Sequence, residues 1–318
     1  MTNANPIRNT LDSEKVSPRE YFIVFLKGMM MGVADIIPGI SGGTIAFITG
    51  IYQSLITSLA NILSIDRIKE LAHFQFKEIY RNINASFLIS LALGIGLSIL
   101  TLAHTIEYLL TTYPVLIWSF FFALILSSAL LIIKKNFVYT PFTVISFIIG
   151  FTTALVITVI LTPATTQLSL PFIFGSGMIA ITAMLLPGVS GSYLLVIMGS
   201  YEFILSAIKT LNLPILLTFM LGCGLGILIF SKAIAYILSR FYNITLALLS
   251  GFILGALPKA WPWKDADAKL LLPHEYSALY GTASLPLSIV LMLTAFFIIV
   301  SLAKFSTAHS NKNAIPPQ

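Results

Sequence analysis

The stretch Pro38-Gly39-Ile40-Ser41-Gly42-Gly43 returns 149 positions later as Pro187-Gly188-Val189-Ser190-Gly191-Ser192, each copy set in otherwise apolar sequence. Proline ends an incoming helix, the glycines allow backbone angles other residues avoid, and Ser41 or Thr44 is placed to cap a helix that starts at the turn. Such a start presents unpaired N–H groups and the positive end of a helix dipole, which suits phosphate, sulfate or carboxylate. Ser190 and Ser192, ahead of Tyr193, offer the same chemistry in the second copy. The candidate binding residues are therefore Pro38, Gly39, Ser41, Gly42, Gly43 and Thr44 with Pro187, Gly188, Ser190, Gly191 and Ser192.

Charge in apolar surroundings is costly and calls for a reason. Lys27, Asp35, Glu202 and Lys232 are such charges, and at the repeat offset they face Ser176, Met184, Gln53 and a position near Ala103. A symmetric scaffold thus carries asymmetric charge. Lys27 is the candidate counter-charge for an anion, with Asp35 and Glu202 as candidate proton carriers; the plainer reading is snorkelling lysines and structurally paired acids. Gly39-Ile40-Ser41-Gly42 also matches the Gly-x-Ser-Gly of rhomboid-like intramembrane serine hydrolases. A serine nucleophile needs a nearby base, and His73, His274 and His309 lie in polar segments while His104 sits near a helix end. The expectation is no enzyme. No residue set has metal-ligand spacing and no phosphate loop of the Gly-x4-Gly-Lys-Ser type occurs, so neither metal, cofactor nor ATP drive is expected.

The elements that hold these turns belong in a membrane. Apolar residues make up 57% of the 318 and charged ones 9%, too little charge to clothe a soluble globule of this size, and mean hydropathy is +0.95. Apolar runs at 21–37, 44–63, 86–109, 114–133, 140–162, 171–186, 192–211, 214–238, 243–258 and 284–304 read as helices, most near the roughly 20 residues a span needs. Irregular backbone at membrane depth must line protein or a cavity, so each Pro-Gly turn reads as the tip of a re-entrant hairpin. Gly28 pairs with Gly177, Ala34 with Ala183, Gly50 with Gly199 and Tyr52 with Tyr201 at the same offset. Gly94-Ile95-Gly96 aligns with Gly222-Cys223-Gly224, and Tyr113-Pro114 with Tyr242-Asn243, once a longer charged loop in the first half is allowed for. The pairs Gly28/Gly32, Gly222/Gly226 and Gly251/Gly255 read as helix-packing positions.

The fold expected is all-α and polytopic, two inverted-topology repeats each with a broken-helix hairpin plus about three transmembrane helices. Residues 1–20 form a cytoplasmic tail, 21–163 and 164–304 the repeats and 305–318 a second tail. The polar start with Arg8, Lys15 and Arg19 reads as leading into a retained first helix, without a cleaved signal. Counting Lys and Arg puts both termini in the cytoplasm, with Lys209, Lys259, Lys264 and Lys269 outside. Trp261-Pro262-Trp263 reads as an interfacial anchor. The formal charge of +6 is spread among loops, which fits anionic lipid headgroups and not nucleic acid. Cys223 alone supports no disulfide.

The combination of Lys27-Gly28, Gly32, Ala34-Asp35, Pro38 to Thr44 and Gly50-Ile51-Tyr52 with Pro187 to Ser192, Gly199, Tyr201-Glu202 and Trp261-Pro262-Trp263-Lys264 resembles the PopT-type polyprenyl-phosphate translocases over nearly the whole chain. One departure is Gln53, where that family often carries Glu. The resemblance implies a flippase returning undecaprenyl phosphate from the outer to the inner leaflet of the cytoplasmic membrane, with the lipid and the bilayer as partners and a homodimer as a further expectation. A secondary transporter of a small soluble anion fits the same spacing.

Overall fold

The structure is a computed structural model that describes residues 18–37, 41–62, 64, 70, 73–159, 169–265 and 269–312, side chains of 135, 136 and 302–312 excepted. Pro38, Gly39 and Ile40 lie outside the described residues. The first half runs α1 (Pro18–Ile36), α2 (Gly42–Ile48), α3 (Tyr52–Ile62), α4 (Phe76–Asn82), α5 (Ala85–Thr112), α6 (Pro114–Asn136) and α7 (Pro141–Val159). The second runs α8 (Leu170–Leu185), α9 (Gly191–Ile197), α10 (Tyr201–Lys209), α11 (Leu213–Arg240), α12 (Tyr242–Gly255), a 3-10 turn (Leu257–Ala260), α13 (Pro273–Tyr280) and α14 (Leu285–Lys312). Among the described residues extended pairing is limited to one isolated bridge, Lys264 with Leu270.

The protein is an all-α polytopic membrane protein. Among the described residues five helices are long and apolar enough to cross a bilayer, six if the bent pair α9 and α10 is one span. Their outward faces carry Leu93, Leu97, Leu100, Ile145 and Ile149 exposed, which water would penalise and lipid does not. Punctuation residues set the boundaries. Pro114, Pro171 and Pro214 open α6, α8 and α11, where a missing N–H costs nothing. Ser169 and Asn212 accept from the Phe172 and Ile215 amides as N-caps.

The arms beyond the two turns are each broken a second time. The apolar runs 44–63 and 192–211 read as continuous helices from sequence, but α2 and α9 stop after seven residues at Gly50 and Gly199, with φ of 76° and 69°. Ile51 N–H bonds the Ala46 carbonyl and Ser200 N–H the Leu195 carbonyl, both at 3.0 Å, closing a matched pair of Schellman caps. The α9–α10 bend is 108°.

Small residues fix how the long helices cross. A Cβ at Gly28 would strike the Leu91 carbonyl and one at Gly94 the Phe25 carbonyl; Gly177 and Gly222 stand in the same relation to Phe219 and Phe174. The backbones of α1 and α5, and of α8 and α11, therefore touch and run parallel, so the stretch between each pair returns the chain to the side it came from. Gly251 and Gly255 back onto the Phe147 and Phe151 carbonyls, making α7 and α12 another close, parallel pair. Helix α6 packs on α14 as α7 packs on α12, so each half supplies one helix to the other's pair. The break after α5, at Tyr113 (φ −130°, ψ 50°), matches Phe241 (−131°, 49°) after α11. Tyr113 thus corresponds to Phe241, one residue earlier than the Tyr242 suggested by side-chain identity, because backbone geometry and not the ring sets the break.

Candidate functional site

The described residues of the two turns touch. Thr44 Oγ1 accepts from Gly188 N–H at 2.8 Å, and Ser41 Oγ donates to the Met184 carbonyl at 3.0 Å. The duplicated motifs therefore meet across the two halves.

At the first turn the amides are taken up internally. Asp35 Oδ1 accepts from Gly42 N–H at 2.7 Å, Ser41 Oγ accepts from Gly43 N–H at 3.1 Å, and Thr44 N–H reaches the Ser41 carbonyl. Lys27 Nζ donates to the Thr49 carbonyl, the C-cap of α2, at 2.8 Å. The two charges of α1, eight residues apart, thus sit at opposite ends of a helix about 10 Å long, each with the sign that its dipole favours. Gly42 to Phe47 are all buried.

The second turn keeps the backbone plan but not the side chains. Ser190 caps α9 through Tyr193 N–H at 3.4 Å and pairs with Ser192 Oγ at 3.0 Å. Met184 takes the place of Asp35: its Cγ lies against Gly191 as the Asp35 carboxylate lies against Gly42. A methylene accepts no hydrogen bond, and among the described residues neither Gly191 N–H nor Ser192 N–H has a partner. Gly188, at φ 86°, turns the chain where a Cβ would meet the Phe252 carbonyl and Ile253 Cα. Of α9, Gly191 and Leu195 are buried while Ser192 is exposed.

Beside this turn opens a small cleft lined by Ala154, Thr158, Gly188, Ser190, Tyr193 and Lys259. Its volume is about 10 Å³, one water's worth, so a larger guest has to displace side chains. Lys259 lines it with its ammonium 3.6 Å from the centre of the Tyr193 ring. Lys264 Nζ donates to the Lys259 carbonyl at 2.5 Å and sits 4.0 Å from the centre of the Trp118 ring. Burial, and after it the charge of Lys259, hold the Lys264 ammonium down to a pKa of about 8. The tryptophans expected as an interfacial anchor do otherwise: Trp263 is buried and donates to the Ala283 carbonyl, and Trp261 donates to the Leu271 carbonyl and packs on Phe122. They hold the described residues around Lys259 and Lys264 against the helices and so position both lysines.

A family profile described as undecaprenyl phosphate translocase-like matches residues 31–276, which hold both turns and the lysine segment. The chain belongs to that family. It is 41% identical over 305 residues to a polyprenyl-phosphate transporter of Vibrio cholerae, covering 90% of this chain and 97% of that one. A polyprenyl-phosphate transporter of Staphylococcus aureus is 34% identical over 260 residues, covering 76% of this chain and 86% of that one. No solved structure matches.

Of the residues expected at the site, Ser41, Gly42, Gly43 and Thr44 lie packed at the junction, and Pro187, Gly188, Ser190, Gly191 and Ser192 lie at or beside the cleft. Lys27 and Asp35 are engaged with α2, and Glu202 is exposed in the first turn of α10. Lys232 is exposed. Sequence reasoning passed over Lys259 and Tyr193 as ligand groups. The available signal was the Pro258-Lys259 step closing an apolar helix, but only the fold brings it to a turn 66 residues earlier in the chain.

Proposed function

We propose that the protein moves a polyprenyl phosphate between the leaflets of the cytoplasmic membrane, from outer to inner, the phosphate passing between the two Pro-Gly-x-Ser-Gly turns while the tail stays in lipid. The observation that carries this reading is the direct hydrogen bond between Thr44 and Gly188, which makes one junction of the two turns, with a cleft at its second side. The names of the two relatives point to the same class of cargo. With both termini cytoplasmic by charge count, Lys259 belongs to the outer face, so the cleft is lined from the side where the spent carrier lipid arises. Parallel packing of α1 with α5 and of α8 with α11 supports two inverted repeats, each hairpin returning to its entry side. Rocking of the halves then exchanges the packed turn for the open one. In the first turn the phosphate has to displace Asp35 from Gly42 N–H, which gives Asp35 a part in the cycle.

The serine contacts disfavour a hydrolase. Ser41 Oγ donates its proton to a carbonyl, Ser190 Oγ pairs with Ser192, and among the described residues no histidine contacts either. The test is reconstitution of the full chain in liposomes with a labelled polyprenyl phosphate, scoring exposure of the head in each leaflet. Protein-dependent, saturable transfer that millimolar inorganic phosphate leaves intact is the expected result; uptake of the soluble anion in its place would make the protein a small-anion transporter, and no transfer would remove the reading.

A further inference from the structure

One ammonium group, that of Lys259, lines the cleft, and a second, that of Lys264, is held behind it on the Lys259 backbone. Lys259 and Lys264 come from one short segment, are tied by the bond from Lys264 Nζ to the Lys259 carbonyl, and rest on the faces of Tyr193 and Trp118. Neither contacts a carboxylate among the described residues. A fold that draws like charges together away from bulk water leaves positive potential that an anion has to balance. Ring faces hold ammonium groups loosely compared with carboxylates, which suits cations that must be released to a guest.

We propose that Lys259 and Lys264, with the Ser190 and Ser192 hydroxyls, form a recognition site for a phosphate monoester that rejects phosphodiesters. The inference rests on the carrier reading above and adds to it the basis of selectivity. A monoester carries a charge of about −1.5 to −2 at neutral pH with three terminal oxygens. It can engage both ammonium groups at once. A phosphodiester, the linkage of bulk phospholipids, has one charge and two free oxygens and leaves one lysine unbalanced. A carrier embedded in a vast excess of phosphodiester lipid needs such a device, because the tails alone do not mark the cargo.

Lysine-selective acylation of the purified full chain, read by mass spectrometry at each lysine, tests this without altering the protein. The probes are a short-chain polyprenyl phosphate monoester, the methyl diester of the same lipid and inorganic phosphate. The monoester is expected to slow labelling of Lys259 and Lys264 by at least about tenfold, leaving Lys209 and Lys269 unaffected, while the diester protects neither. Protection by inorganic phosphate as well identifies a site for the dianion alone; protection by the lipid only shows that the tail contributes, and both agree with the proposal. Equal protection by the diester overturns the selectivity. Unprotected lysines in a protein that still transfers the lipid overturn the site and spare the carrier reading; absence of lipid transfer overturns the carrier reading itself. In the transfer assay Lys259→Gln is expected to raise the half-saturating monoester concentration by about tenfold, with recovery in Lys259→Arg. An unchanged value in Lys259→Gln also overturns the site.

Discussion

At the first turn Gly42, Gly43 and Thr44 have every amide satisfied within the protein; at the second, Gly191 and Ser192 have no amide partner among the described residues. The backbones agree closely, from the serine N-cap to the Schellman close at Gly50 and Gly199. The difference lies in one position on the preceding helix, Asp35 in the first half and Met184 in the second, and in Lys27 against Ser176. Packing follows the same division. Helix α3 lies along α11 of the other half and buries Tyr52, Leu55 and Ile56, whereas α10 makes no comparable contact with α5 and leaves Tyr201 and Glu202 exposed. The duplicated motif supplies two equivalent frames, and charge present in one half alone decides which is sealed.

The largest effect is expected from Gly188→Val, which adds a side chain at positive φ directly against the α12 backbone. A loss above about 3 kcal/mol, read as lost monodisperse protein or a large fall in Tm, is expected. Gly50→Ala, with φ 76° and open space around it, should cost only about 1 kcal/mol. Equal losses would mean that the environments of the two halves matter less than their backbone angles.

Met184→Asp transplants the seal. Its carboxylate is expected to accept from Gly191 N–H and cut lipid transfer by at least about tenfold, while stability holds or gains about 1 kcal/mol from the added cap. Unchanged transfer would show that open amides at the second turn are irrelevant. In the reverse direction, Asp35→Ala is expected to cost about 2 kcal/mol through the orphaned Gly42 amide, and Asp35→Asn less, measured by thermal unfolding in detergent.

Thr44→Val removes the acceptor for Gly188 N–H and should cost about 1–2 kcal/mol, with Thr44→Ser close to wild type. A pH dependence is also expected. The Lys264 ammonium, at about 8 in the folded protein against an ordinary 10.5, binds fewer protons folded than unfolded between those values. Stability should therefore rise with pH from about 8 to 10.5, with the full penalty present below 8. Lys264→Met should flatten that slope while weakening the monoester.

Helix content and membrane residence were legible because apolar runs survive without knowledge of packing. The extra breaks at Gly50 and Gly199 were not, although both glycines stood in the alignment, since a glycine within an apolar run looks the same whether it packs a helix or ends one. Gly28 and Gly177 do the former. The buried role of Trp263 was hidden for a similar reason: an aromatic beside a polar loop fits a lipid interface or a folded lobe equally well.

The amino-acid sequence by itself determined that this is a membrane protein with two like motifs set in apolar sequence and that charge is unequally shared between them, because hydropathy and repetition are properties of the chain. Only the tertiary structure decided that Asp35 and Lys27 are engaged with α2, that Met184 leaves Gly191 uncapped, and that Lys259 reaches Tyr193. Such pairings depend on which helices cross and at what depth, and close glycine contacts between distant segments set both.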